Sequence, residues 1–332
     1  MNRANKYLKR IVRSLRGQAF FYPHEGLFAA HSTNFLKSLF LIRAFYGYSF
    51  VIAVSSYNNF IDLYADKIFY RPLWVFGNLG PEKLHYFVPP ILWLWITSSL
   101  LSFFFFENRF FRSIQALSVF FMIATINSDG HFSNNHHAFL WMSMLLCLLP
   151  LSRPGPLATR KRIHRHKILL SVWFIQLIIC TFYTMSGLWK VTSILRCAVE
   201  STLQCQLDQW ILTNISAREA IFYHQFAPWR DAFYKYPWLS FVSYLATIWI
   251  HLVSFYFVFR LNLHPAFGVL RLVFHLGTFL FFGVNFSAMA APVALVFLVS
   301  PFDRQKNAFI IFKHILRLPP FAWLERFPKY GI

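Results

Sequence analysis

The sequence predicts an all-α, polytopic membrane helix bundle of about eight transmembrane helices with both termini cytoplasmic. Three observations carry this expectation. The chain has 332 residues, of which 57% are hydrophobic and only 13% charged, and Phe alone occurs 42 times. A soluble protein of this size has too little interior to hide so much apolar surface, so a bilayer is its natural solvent. The net charge of +20 comes in short clusters between apolar runs. That is the pattern of membrane-flanking loops and not of a continuous nucleic-acid face, so the expected partner is the lipid bilayer and no nucleic acid.

Length alone would permit two domains, but no Gly/Ser/Pro-rich linker divides the chain. We assign residues 1–35 to a basic amphipathic N-terminal segment, 36–302 to one membrane domain and 303–332 to a basic interfacial tail. Asn5 to Arg16 alternates Tyr7, Leu8, Ile11, Val12 and Leu15 with Lys6, Lys9, Arg10, Arg13 and Arg16. Such a helix lies on an anionic membrane surface. The tail, Asn307 to Tyr330, has the same character and is broken at Pro319-Pro320. No cleavable signal peptide is evident before the first apolar run near Leu36.

A spanning helix needs about 20 mostly apolar residues. Eight segments qualify or come close: Leu36–Val54, Tyr86–Phe106, Ile114–Asn127, His137–Leu151, Ile168–Lys190, Tyr236–Phe259, Phe267–Gly283 and Phe286–Phe302. The third, fourth and eighth are short. With the N-terminus inside, the cytoplasmic segments hold 23 Lys/Arg, Arg260 and Arg271 among them, and the outer segments hold eight. This bias sets the orientation. It places the loops Ser55–His85, Ser128–His136 and Val191–Lys235 on the outer side, together with Lys190. A multi-pass integral membrane protein is expected, in the plasma (inner) membrane if the source is bacterial.

Polar groups in such a chain need a reason. Arg43 lies inside the first span, where an unpaired charge costs about 2.5–3.5 kcal/mol on insertion scales unless it snorkels to water. The loop from Asn127 to His137 gathers Asp129, His131, Asn134, Asn135, His136 and His137. Their spacing matches no established metal site, so no metal is expected. Hydrogen bonding to a polar ligand, or capping of the next helix by Asn135, is the simpler use. His251 and His275 fall within spans, and each is either a functional group or a hydrogen bond to a neighbouring helix. Gly187 lets a backbone or a flat ligand come close. Lys190 closes the fifth span, where it either snorkels or acts as a base, since burial lowers the pKa of an amine. Cys147 and Cys180 fit as buried apolar residues. Cys197 and Cys205 share an outer loop, and a disulfide between them is expected, with two free thiols as the alternative. Motifs of P-loop, dinucleotide-binding or metalloprotease type are lacking.

The ordered set of these residues resembles the horizontally transferred transmembrane (HTTM) family, whose membrane domain also occurs in vitamin K-dependent γ-glutamyl carboxylases. The resemblance rests on Arg43 in the first span, on Asn134-Asn135-His136, and on Tyr183 followed by Gly187-Leu188-Trp189-Lys190. It ends with His275, Asn285-Phe286-Ser287-Ala288-Met289 and Ser300-Pro301-Phe302, and covers roughly residues 30 to 305. It implies a membrane enzyme that uses a reduced quinone of the vitamin K hydroquinone type. By this resemblance the matching lysine, Lys190, would deprotonate the quinol and His136 would orient the quinol oxygen. Asn135, His137, Gly187, His275 and Arg43 are the implied cofactor-binding residues. Oxygen then makes of the quinol a base strong enough to take a proton from a glutamate side chain, so that carbon dioxide adds. The sequence ends soon after the last expected span, where the carboxylases continue into a large lumenal domain, and it carries Trp189 where they have a first lysine. Other HTTM proteins serve in peptide maturation, so a non-enzymatic maturation factor or carrier holding a peptide or small protein at the outer face is the alternative.

Overall fold

A computed structural model describes residues 32–55, 57, 81–128, 136–149, 158–200, 230–282 and 287–302. Among these residues every regular element is helical. In chain order they are α1 (Ser32–Ser55), α2 (Pro81–Phe104), α3 (Arg109–Asn127), α4 (His137–Cys147) and α5 (Ala158–Glu200). There follow α6 (Arg230–Lys235), α7 (Pro237–Leu252), α8 (Ser254–Phe259), a 3-10 turn (Leu261–Leu263), α9 (His264–Phe282) and α10 (Ser287–Leu298). Five stretches are long and apolar enough to cross a membrane: Lys37–Ser55, Tyr86–Phe104, Arg109–Asn127, Lys167–Arg196 and Pro237–Phe259. Residues 1–31 of the expected basic segment and the whole expected tail lie outside the described residues, and 32–35 begin α1.

Several expected boundaries are corrected. The third span begins at Arg109 and not at Ile114, because Asn108 caps α3 by accepting the Phe110 N–H at 2.9 Å. Helix α4 has 11 residues and α10 has 12. At about 1.5 Å per residue each is some 16–18 Å long, roughly half of a hydrocarbon core. The fifth helix does not stop at Lys190; it runs 43 residues to Glu200. The continuation is stabilised by packing, since Val191 and Ile194 lie against the buried Phe233, Tyr244 and Ile248 of α6 and α7. The expected sixth span is interrupted at Val253, which separates α7 from α8.

The chain divides into two compact units. The N-terminal unit holds Ala30–Ile178 with Phe286–Val293; the C-terminal unit includes Ile179–Asn285 and the chain from Ala294 onward. In the N-terminal unit α1 packs on α2, α2 on α3 and α3 on α4. Its centre joins an aromatic cluster to a polar network. The Phe45 and Phe139 rings are 5.0 Å apart, and Trp95 and Phe139 are 5.9 Å apart. Trp95 Nε1 donates to Ser49 Oγ at 2.9 Å and Gln115 Nε2 donates to the same oxygen at 3.0 Å. With both lone pairs of Ser49 occupied, its own proton goes to Ser99 Oγ at 2.8 Å. One hydroxyl thus ties three helices together.

Arg112 falls between the second and third expected spans, in a connection expected on the cytoplasmic side. It is instead fully buried, and donates from Nη1 to the Leu146 carbonyl at 2.7 Å and from Nη2 to the Leu149 carbonyl at 3.0 Å. Leu146 lies in the last turn of α4 and Leu149 two residues beyond its end, where carbonyls are short of helical partners. A cation at this end also meets the negative pole of the helix.

Substituting Arg112→Ala should therefore leave two carbonyls and a cavity behind. We expect a loss of about 2–4 kcal/mol of stability, read by thermal unfolding in micelles. An unchanged midpoint would show that Arg112 does not cap α4.

Candidate functional site

Helix α5 places Cys180, Tyr183, Thr184, Gly187 and Lys190 at helical spacing on one face. The opposite face is apolar and exposed, with Met185, Leu188 and Trp189 turned outward, Trp189 at 75% exposure. This division leaves an outer face compatible with lipid and turns the inner face to α7, α8 and α9.

The break at Val253 organises the inner face. A gap between two helices frees carbonyls at the end of α7 and amides at the start of α8. In a membrane each must find a partner inside the protein. Thr184 Oγ1 accepts the Phe255 N–H at 3.1 Å and lies 3.3 Å from the His251 carbonyl. From α9, Arg271 Nη2 donates to the Ile250 carbonyl at 3.0 Å and also to Ser254 Oγ. Arg271 is fully buried. Its guanidinium carbon lies 3.5 Å over the Tyr183 ring and 4.9 Å from the Phe267 ring. A desolvated cation–π contact of this kind is worth about 2 kcal/mol.

Two histidines complete the cluster. Tyr183 Oη and His275 Nε2 are hydrogen-bonded at 2.8 Å. The His251 ring packs edge-on against Tyr183 at 5.6 Å, and its Nδ1 lies 2.6 Å from the Thr247 carbonyl. A carbonyl only accepts, so Nδ1 carries the hydrogen and neutral His251 keeps Nε2 as an acceptor. Lys190 is half-buried, and its amine donates to Ser186 Oγ at 2.8 Å. It sits ten residues before the end of α5, within the apolar stretch. The close approach allowed by Gly187 is made by α7: an added Cβ would meet His251 Cβ at 2.9 Å and the Leu252 backbone nitrogen at 3.1 Å.

Of the residues singled out from the sequence, Lys190, Gly187, His251 and His275 fall in this C-terminal unit. His136, His137 and Arg43 belong to the N-terminal unit. Asn135, Asn134, Asp129, His131 and Cys205 lie outside the described residues. Cys197 falls in the helical extension of α5, with its side chain outside them as well. The cap position of α4 is occupied by His136 and not by Asn135, and His136 forms no side-chain cap bond. Arg43 is exposed and lies 5.1 Å over the Phe106 ring. Cys180 is buried, as expected, and Cys147 is half-buried against Ser113. Among the described residues no group of three or more His, Cys, Asp or Glu side chains is placed to hold a metal.

Sequence reasoning missed Arg271, Thr184 and the break itself. Arg271 was legible as a charge inside an apolar run, but was counted with the cytoplasmic loops. Ser300, part of the motif Ser300-Pro301-Phe302, has a structural use. His264 Nε2 is 3.4 Å from the Val258 carbonyl and so carries the hydrogen, which leaves Nδ1 to accept from Ser300 Oγ at 2.8 Å.

Among the described residues the fold is all-helical, with five stretches of membrane length. Compared with known proteins, the chain matches no protein-family model, no curated protein and no solved structure.

His136 supplies a pH test outside the membrane-length helices. Burial, with a smaller contribution from His137, lowers its pKa from 6.5 to about 4. The unfolded chain binds this proton more readily than the folded one between those values. Stability should accordingly be full above about pH 6.5 and fall as pH drops toward 4. We expect thermal unfolding in micelles to show this fall, and His136→Gln to flatten it. Identical pH dependence in wild type and variant would contradict the assignment.

Proposed function

We propose that this chain is a multi-pass membrane enzyme acting on a lipophilic reduced quinone, with Lys190 as the base. The resemblance to the HTTM family supports the reading. The observation that carries it is the composition of the C-terminal unit. Lys190, His251, His275 and Arg271 are gathered there on and around one face of α5. Ionisable groups gathered among apolar helices are costly and mark a functional site by default.

The residues present fit a quinol. Its hydroxyls need acceptors and its oxygens need donors, within apolar walls. His251 Nε2 is an acceptor, and Arg271 Nη1 is a buried donor with no hydrogen-bond partner. Tyr183 and Phe274 provide aromatic surface beside them. When bound, a reduced quinone supplies ionisable hydroxyls and two electrons. Lys190, in its neutral form, takes a proton at Nζ, and Ser186 Oγ holds that nitrogen in place. The Tyr183–His275 pair holds or passes a second proton. Arg271 stabilises negative charge that develops on an oxygen near it. The outward apolar face of α5 leaves entry from the bilayer open to a lipophilic substrate.

The apolar segments number about eight, two of them half-length. Both termini face the cytoplasm, because the basic clusters do.

Quinol oxidation by the purified protein in lipid, with oxygen present, tests the proposal. Lys190→Ala should reduce the rate by about 100-fold or more while the protein still folds and inserts. Equal rates in wild type and variant would remove Lys190 as the base and leave the resemblance as one of fold alone.

A further inference from the structure

The N-terminal unit carries a feature that the quinol site does not use. A cavity of about 520 Å³ opens at the turn between α2 and α3, lined by Arg43, Phe104, Phe105, Phe106, Glu107, Asn108 and Phe111. Its shape follows from the local chain. The turn closes through the Phe105 N–H to the Leu101 carbonyl and the Asn108 N–H to the Phe105 carbonyl, each at 2.8 Å. This folds Phe106 inward to 7% exposure and leaves Phe104 and Phe105 outward at 61% and 57%. Arg43, one-third of the way along the apolar stretch of α1, extends over Phe106 to the level of this turn.

We infer that this cavity binds the headgroup of an aminophospholipid of the phosphatidylethanolamine type, with its acyl chains lying along the exposed phenylalanines. The site presents one cation and one anion, both exposed, on an aromatic floor. A lipid phosphate satisfies Arg43, an exposed charge on a membrane-length helix. A primary ammonium satisfies Glu107 and donates hydrogen bonds to it. A purely anionic headgroup would meet the Glu107 carboxylate unfavourably, and a quaternary ammonium has no N–H to give. The volume lies within the range of small-ligand sites. The position at a helix turn is where headgroups meet protein, and the exposed rings favour a lipid over a free headgroup.

Native mass spectrometry of the protein, released from micelles holding equal amounts of phosphatidylethanolamine, phosphatidylcholine and phosphatidylglycerol, tests this directly. Wild type should retain phosphatidylethanolamine about tenfold more than the other two, a difference of about 1.4 kcal/mol. Arg43→Gln should lower its retention about tenfold, and Glu107→Gln should remove the preference over phosphatidylglycerol. Both side chains are exposed, so unaltered unfolding midpoints are expected and keep the comparison fair. Retention indifferent to headgroup, or unchanged by both substitutions, would overturn the inference. So would displacement of the lipid by soluble phosphoethanolamine at equal concentration, since that would assign no role to the chains. Quinol oxidation should be unaffected by Glu107→Gln.

Discussion

The C-terminal unit depends on one constraint, the interruption of a membrane-length helix at Val253. In water a broken helix hydrates its free ends. In a bilayer it cannot, and each unsatisfied group costs several kcal/mol. The repair comes from two sides. Thr184 of α5 takes the Phe255 amide, and Arg271 of α9 takes the Ile250 carbonyl. Both repairs require the helices to approach closely, and Gly187 against His251 and Leu252 is what permits that on the α5 side. The charge brought in with Arg271 is then spread over the Tyr183 ring. Tyr183 in turn meets His275 and His251. The cluster that forms the candidate site is thus a consequence of mending the break.

The N-terminal unit solves a related problem with the same residue type. Arg112 reaches carbonyls at and just beyond the end of α4, a helix too short to span a bilayer, as Arg271 reaches the carbonyl at the end of α7. In both places a guanidinium supplies several donors to a helix C-terminus and finds part of its counter-charge in the helix dipole. This accounts for fully buried arginines that bind carbonyls. It also separates the two: Arg271 has Nη1 buried without a partner and lies against aromatic rings, so it keeps capacity for a ligand.

Hydropathy made the membrane class and the long helices legible, because about 20 apolar residues have few other uses. Boundaries were legible where a local signal existed, as at Pro237, which starts α7. The ends of α5 were not. Its continuation past Lys190 is fixed by Val191 and Ile194 packing on Phe233, Tyr244 and Ile248, and Phe233 lies 43 positions from Lys190 along the chain. The break at Val253 had no signal, since neither Gly nor Pro is present there; it is set by the partners that receive it. Arg271 was visible as a charge but was read as a loop residue, because charge bias averages over segments and does not say where one side chain points. The candidate site was legible only in part: Lys190, His251 and His275 stood out, whereas Thr184 and Arg271 take their meaning from tertiary contacts.

The account stands on the repair of the helix break, and Thr184 offers the most direct access to it. Thr184→Val keeps the shape of the side chain and removes only the hydroxyl, whereas Thr184→Ser keeps the hydroxyl. Reversible unfolding in lipid should show Thr184→Val less stable than wild type by about 1–3 kcal/mol, with Thr184→Ser close to wild type. Equal stability of the valine variant and wild type would mean that the Phe255 amide does not depend on Thr184, and the break would need another explanation.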